Sequence, residues 1–170
     1  NKISPMKRIM IIIMVGFILI QFFPIDKNNP APTPKMDFLQ IKNTPENTAN
    51  LIRNACYDCH SNESKYPWYS NVQPIGWFLE NHIKEGRKEL NFSTFATYDK
   101  KRQAHKLYEA AEMIEKREMP LESYVIAHPE AKLTDAERKE MIDYFKLIEQ
   151  DIRVTNNLPA EVKKTEAKTK

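Results

Sequence analysis

Glycine is scarce: three residues in a chain of 170, beside eleven prolines and few runs of β-branched residues. Hairpin turns draw on glycine and strands on β-branched side chains, so the composition argues against a sheet-rich fold. Cysteine is nearly absent too. Cys56 and Cys59 are the only two, and a pair three residues apart cannot be the disulfide framework of a small secreted domain. Such a pair serves chemistry or attachment. A basic face is missing as well. The formal charge is +3, but residues 37–153 hold 17 Lys/Arg against 20 Asp/Glu, so the positive surplus lies in the two ends. A nucleic-acid binder needs a basic patch on its folded part, and that class drops out. The length leaves room for one modest domain with terminal appendages.

What is present begins with an apolar run. Residues 9–23 (IMIIIMVGFILIQFF) are apolar except for Gln21, follow Lys7 and Arg8, and close on Pro24. The run is shorter than the roughly 20 residues of a full span, although local bilayer thinning accommodates a short one. It also fits the apolar part of a secretory signal, but Phe22-Phe23-Pro24 stands where a small-x-small cleavage site belongs. The expectation is an uncleaved signal anchor over residues 1–24, forming one transmembrane helix. Lys2, Lys7 and Arg8 keep its start in the cytoplasm. Everything beyond Pro24 is then exported: a single pass through the cytoplasmic membrane, with the folded part facing the periplasm. Pro24, Pro30, Pro32 and Pro34 mark residues 25–36 as an extended linker, a spacer rising about 3.1 Å per residue. Residues 154–170 end polar and lysine-rich and read as a disordered tail.

Between them, residues 37–153 read as an all-α domain. Thr44-Pro45-Glu46 is a helix start, with Thr as N-cap and Pro at the first helical position, leading through Leu51, Ile52 and Ala55 into the cysteines. A second helix begins at Pro74, with Ile75, Phe78, Leu79, His82 and Ile83 on one face and Gly86 near its end. A third covers about 99–116, with Ala104, Leu107, Tyr108, Ala111 and Ile114 at helical spacing. In the fourth, Thr134 and Glu137 form a capping box ahead of the stripe Met141, Tyr144, Phe145, Ile148 and Ile152. This is a thin apolar inventory for long loops, which need something large and apolar to pack against.

Cys56-Tyr57-Asp58-Cys59-His60 supplies the answer. In Cys-x-x-Cys-His, two thiols on one helical turn can add to the two vinyl groups of a single haem, and the following imidazole falls beneath the iron. Cys56 and Cys59 would tether the ring covalently and His60 would be the proximal ligand. Two other chemistries use such a pair. A thioredoxin-like redox site sits at a strand-to-helix junction, and nothing before Cys56 looks like a strand. A zinc site needs a second ligand pair, and no further cysteine exists.

The sixth iron ligand is sought among seven methionines and the scattered His82, His105 and His128. Met6, Met10 and Met14 lie in or beside the apolar run and Met36 in the linker; Met113 falls at the end of the third helix, and Met141 suits the core. Met119 differs, standing in Arg117-Glu118-Met119-Pro120 just past a helix end with proline beside it. A thioether held this way can reach the open face of the iron and would raise its potential relative to two imidazoles. Core filling by Met119 is the plainer role, His82 is the runner-up ligand, and an open sixth position is the remaining case.

These residues resemble the haem-binding domain family, found largely in Bacteroidetes and related to class I cytochromes c. The likeness spans about residues 37–150 and is carried by CYDCHSNESKYPWYSN (56–71), NHIKEGRKELNFS (81–93) and MPLESYVIAHPEAKLT (119–134). It implies a helical cytochrome-c-like domain, one covalent haem c, export with a membrane tether, and Met119 as the distal ligand. Tyr66, Trp68, Tyr69 and Trp77 follow the attachment motif and are expected to wall the haem or to pack the core. The leading function is one-electron transfer with redox partner proteins of the respiratory or periplasmic chain. The alternative is a haem-based sensor or ligand-binding module with a labile sixth ligand. No constellation of acid, base and nucleophile marks an enzyme.

Overall fold

The clearest sequence signal forms the longest helix, α8 (Asp135–Thr155). Thr134 Oγ1 accepts from the Glu137 backbone N–H at 3.2 Å, and Glu137 Oε2 accepts from the Thr134 N–H at 2.8 Å. This closes the expected capping box. Met141, Phe145 and Ile152 are buried along its inner face, with Tyr144 and Ile148 half-buried beside them. That face packs on α6 (Lys100–Glu115), which Asp99 caps by accepting from the Arg102 N–H at 2.9 Å. The two helices run antiparallel. Arg138 at the start of α8 donates to the Ile114 carbonyl at the end of α6 (2.9 Å), whereas His105 near the start of α6 meets Glu161 beyond the end of α8 (3.1 Å).

The computed structural model describes residues 4–161, and every regular element among them is helical. Besides α6 and α8 these are α1 (Pro5–Ile20), α2 (Phe38–Ile41), α3 (Glu46–Ile52), α4 (Asp58–His60), α5 (Ile75–Glu89) and α7 (Glu122–Ala127). A π-helical turn, Arg53–Tyr57, joins α3 to α4. Short 3-10 turns cover Pro34–Met36, Trp68–Asn71, Phe92–Thr97 and Pro129–Ala131. The core centres on Phe38, whose ring lies 5.4 Å from Phe92, 5.0 Å from Phe95 and 5.9 Å from Phe145.

Three local expectations change. Helix α3 starts one residue late, with Pro45 in the N-cap position, because Thr44 Oγ1 accepts from the Tyr144 hydroxyl at 2.8 Å instead of capping. On α5 only Ile83 of the expected apolar face is buried; Ile75 and Phe78 stand exposed. The segment after the apolar run is not free of the body. Ile25 is buried, Asn29 Nδ2 donates to the Ser64 carbonyl (2.9 Å), and Thr33 Oγ1 donates to the Ser93 carbonyl (2.7 Å).

The expected transmembrane helix is not supported: no described helix is long and apolar enough to cross a membrane. Helix α1 has 16 residues and so rises about 24 Å. Of the expected tail, residues 162–170 lie outside the described residues. Its first part folds back, since Arg153 pairs with both Glu149 and Glu161.

Candidate functional site

The turn that carries the motif is held from behind. Ala55 and Tyr57 face the core, and the Tyr57 hydroxyl donates to the carboxylate oxygens of buried Asp37 at 3.1 and 3.0 Å. Burial, then the Asp37 charge, pushes the Tyr57 pKa up, so the hydroxyl remains a donor. With Tyr57 turned inward, Cys56, Cys59 and His60 share the other side of the chain, at the i, i+3, i+4 spacing of one helical face. The π-helical turn through Cys56 widens the helix there, a distortion frequent at functional sites.

His60 is oriented by the end of α5. Its Nδ1 lies 2.9 Å from the Leu90 carbonyl oxygen, which can only accept, so Nδ1 carries the proton and Nε2 keeps its lone pair. Burial lowers the His60 pKa and favours the neutral ring, the form that binds a metal. Phe92 meets the imidazole edge-on at 6.5 Å and stacks between Tyr57 (5.5 Å) and Phe145 (6.1 Å). Helix α5 approaches α4 closely at Gly86, where a Cβ would stand 2.7 Å from the Cys59 carbonyl oxygen.

The two thiols are free and protonated. Burial, then the neighbouring Cys59, pushes Cys56 up to about 12. Burial, then Asp58, pushes Cys59 up to about 11 against the opposing pull of Arg87. A thiol–disulfide catalyst works through a thiolate of lowered pKa. This pair is built the other way.

All three side chains open onto one cavity of about 570 Å³, within the roughly 300–1,000 Å³ of small-molecule and cofactor sites. Phe92, Phe145 and Leu90 close its inner end, and α5 and α6 form its flanks. At its mouth Lys106 bridges Glu89 (3.0 Å) and Glu109 (2.7 Å). Met119 also lines the cavity. Helix α6 ends there with Arg117 at a φ of 60°, and the Glu118 and Met119 N–H groups both donate to the Met113 carbonyl (2.9 and 3.2 Å). Arg138 Nη1 donates to the Met119 carbonyl at 3.1 Å, so the loop backbone is strapped at both ends.

The structure thus gathers Cys56, Cys59, His60 and Met119 around one cavity, with His82 also on its wall. It adds Met113, which the sequence placed only at a helix end. Met141 is core, as expected. His105 sits between Glu109 and Glu161, and His128 between Tyr69 and Glu130 with its ring stacked on Tyr124; neither lines the cavity itself. Tyr66, Trp68, Tyr69 and Trp77 do not line it either: Trp68 is exposed, and Trp77 Nε1 donates to the Phe23 carbonyl at 2.9 Å. Besides Phe92 and Phe145, the aromatic that does is Tyr124 on α7, whose hydroxyl donates to Asp58 Oδ2 at 2.7 Å and ties α7 to the motif. Leu121, Tyr124 and Val125 at helical spacing directly after Met119-Pro120 were the available signal.

Two thiols, a neutral imidazole and a thioether around apolar walls fit a haem, and define a helical cofactor-binding domain of that kind. The family model described as a haem-binding domain matches residues 15–147, most of the chain, and the protein belongs to that family. No curated protein and no solved structure matches it.

Proposed function

We propose that this haem-binding protein is a membrane-attached c-type cytochrome that carries single electrons. Cys56 and Cys59 hold one haem c through thioethers, His60 Nε2 is the proximal iron ligand, and Met119 is the distal one. The observation that carries this reading is the convergence of these four side chains on one apolar cavity, with His60 already turned by Leu90. A metal-binding histidine that donates its other N–H to a backbone carbonyl has its ring orientation and basicity set in advance. When bound, the haem supplies a one-electron couple at its iron. The chain's part is to ligate, exclude water and hold the ligands still. Phe92, Phe145 and Leu90 keep the inner end dry, and Arg138 fixes the backbone of Met119.

That strap favours an electron carrier over a gas sensor, whose distal ligand must leave. The reading is of a carrier, not an enzyme, exchanging electrons with proteins of the respiratory or periplasmic chain. Helix α1, which carries Lys7 and Arg8 in its first turn and is apolar on every side from Ile9 on, supports attachment to the cytoplasmic membrane with the helical body outside. The test is expression with c-type maturation machinery, followed by haem staining after denaturing electrophoresis and mass spectrometry of the peptide spanning 56–60. One haem on two thioethers is expected; two unmodified thiols overturn the proposal. Rapid, complete carbon monoxide binding to the ferrous protein at neutral pH would transfer the assignment to a sensor.

A further inference from the structure

Helix α1 buries none of its residues, and its side chains are apolar from Ile9 to Ile20 except at Gly16. A helix of this kind is covered by lipid or by other protein. Its apolar stretch, the 12 residues from Ile9 to Ile20, rises about 18 Å and falls short of a hydrocarbon layer of about 30 Å by about 12 Å. What lies at its end decides how the shortfall is met.

No free spacer follows it. Gln21 Nε2 donates to the Gln73 carbonyl (3.0 Å) and the Gln73 N–H donates back to Gln21 Oε1 (2.9 Å). Two residues on, the Phe23 carbonyl accepts from the Trp77 indole N–H. The helix is therefore joined directly to the first turn of α5. Around that joint stand large apolar side chains in the open: Phe22 (75 % exposed), Phe23 (67 %), Ile75 (49 %) and Phe78 (59 %). Ile75 and Phe78, three apart, share a face of α5. That face leads on to His82, whose ring lies 4.1 Å from Phe78 and which lines the haem cavity.

We infer that the start of α5 is itself a lipid-contacting surface: Phe22, Phe23, Ile75 and Phe78 enter the bilayer interface and complete the apolar length that α1 lacks. Trp77, with its N–H bonded and its ring part-exposed, sits at headgroup depth as indoles prefer. A short span meets its mismatch by thinning the bilayer or by drawing flanking groups in, and here the flanking groups are apolar and rigidly joined. The haem cavity then opens one helical turn from the lipid surface. This inference rests on the membrane attachment proposed above.

The test uses the whole holoprotein in vesicles of phosphatidylethanolamine and phosphatidylglycerol doped with a lipid bearing a photoactivatable diazirine near its headgroup. Labelled peptides are mapped by mass spectrometry. Label is expected on α1, on Phe22 and Phe23, and on 75–78, and not on the equally exposed Ile126 and Leu147, which lie elsewhere on the body. An Ile75→Glu/Phe78→Glu variant should keep vesicle flotation and its label on α1 while losing label at 75–78. Label confined to α1 overturns the lipid-contacting face and leaves attachment standing. No flotation and no label overturns the attachment itself. Cross-linked dimers with 75–78 unlabelled would show that a second copy, not lipid, covers the face, and would overturn the inference.

Discussion

Replacing Gly86 by alanine sets two effects of opposite sign against each other. The added methyl would lie 2.7 Å from the Cys59 carbonyl oxygen and 3.3 Å from Cys59 Cβ. The nearer atom is backbone, in the turn that carries the motif, so no rotamer change relieves the clash. Either α5 moves off α4 or the motif shifts. Overpacking of this sort costs about 1–3 kcal/mol. Alanine's better helix propensity offsets about 1 kcal/mol of that. The net loss reaches about 2 kcal/mol, and with a urea m-value of about 2 kcal/mol/M the unfolding midpoint falls by up to about 1 M. Urea titration of the detergent-solubilised holoprotein, followed by far-UV circular dichroism, supplies the number. Moving α5 also moves Leu90, the acceptor for His60, so the visible spectrum should change before global unfolding. A midpoint that instead rises by the amount of the propensity gain would refute the close approach and the rigid seating of the motif.

Three further outcomes separate the roles around the cavity. Of Met119→Ala, Met113→Ala and His82→Ala in haem-loaded protein, only the first should abolish the near-red sulfur-to-iron band of the ferric form; its persistence in Met119→Ala removes Met119 as the ligand. In protein made without haem, the thiols should alkylate slowly at pH 8, where a pKa of about 11 leaves about one Cys59 in 1,000 as thiolate. The thiol is neutral below its pKa, so the alkylation rate should climb about tenfold per pH unit toward pH 10, and a fast, pH-flat reaction at pH 8 contradicts the burial of the pair. Tyr57→Phe leaves the buried Asp37 carboxylate short of a donor and should cost about 1–3 kcal/mol in the same urea titration; an unchanged midpoint would mean that water replaces the hydroxyl.

Periodicity made α6 legible, and periodicity with a capping box made α8 legible, because both bury one stripe. That Cys56, Cys59 and His60 share one face was legible because the arrangement is local: three side chains within five residues need only a helical turn. What sequence could not show was set by partners far along the chain. Thr44 loses its capping role to Tyr144, 100 residues away. Gln21, the one polar side chain in the apolar run, is spent on the backbone of Gln73. Aromatics after the motif were expected to wall the haem or to pack the core, yet Tyr69 turns to His128 and Trp77 to Phe23, while Tyr124 reaches in from α7. Met113 was passed over because a helix end says nothing of which way the last turn faces.

The thin apolar inventory now has a physical account. The body's own packing is concentrated in α6 on α8 and in the phenylalanines around Phe38, whereas α5 rests on α4 and on the Trp68–Asn71 turn. The cavity lies between these parts, and Phe92 and Phe145 belong to both, stacked in the core and lining the cavity's inner end. A ligand filling that space touches α4, α5, α6 and the Met119 loop at once, so its binding free energy adds to folding wherever those elements must come together. Loss of the ligand removes the shared surface that α5 and the loop close upon, while the α6–α8 pair keeps its own. A haem here therefore also supplies core that the amino-acid sequence leaves out.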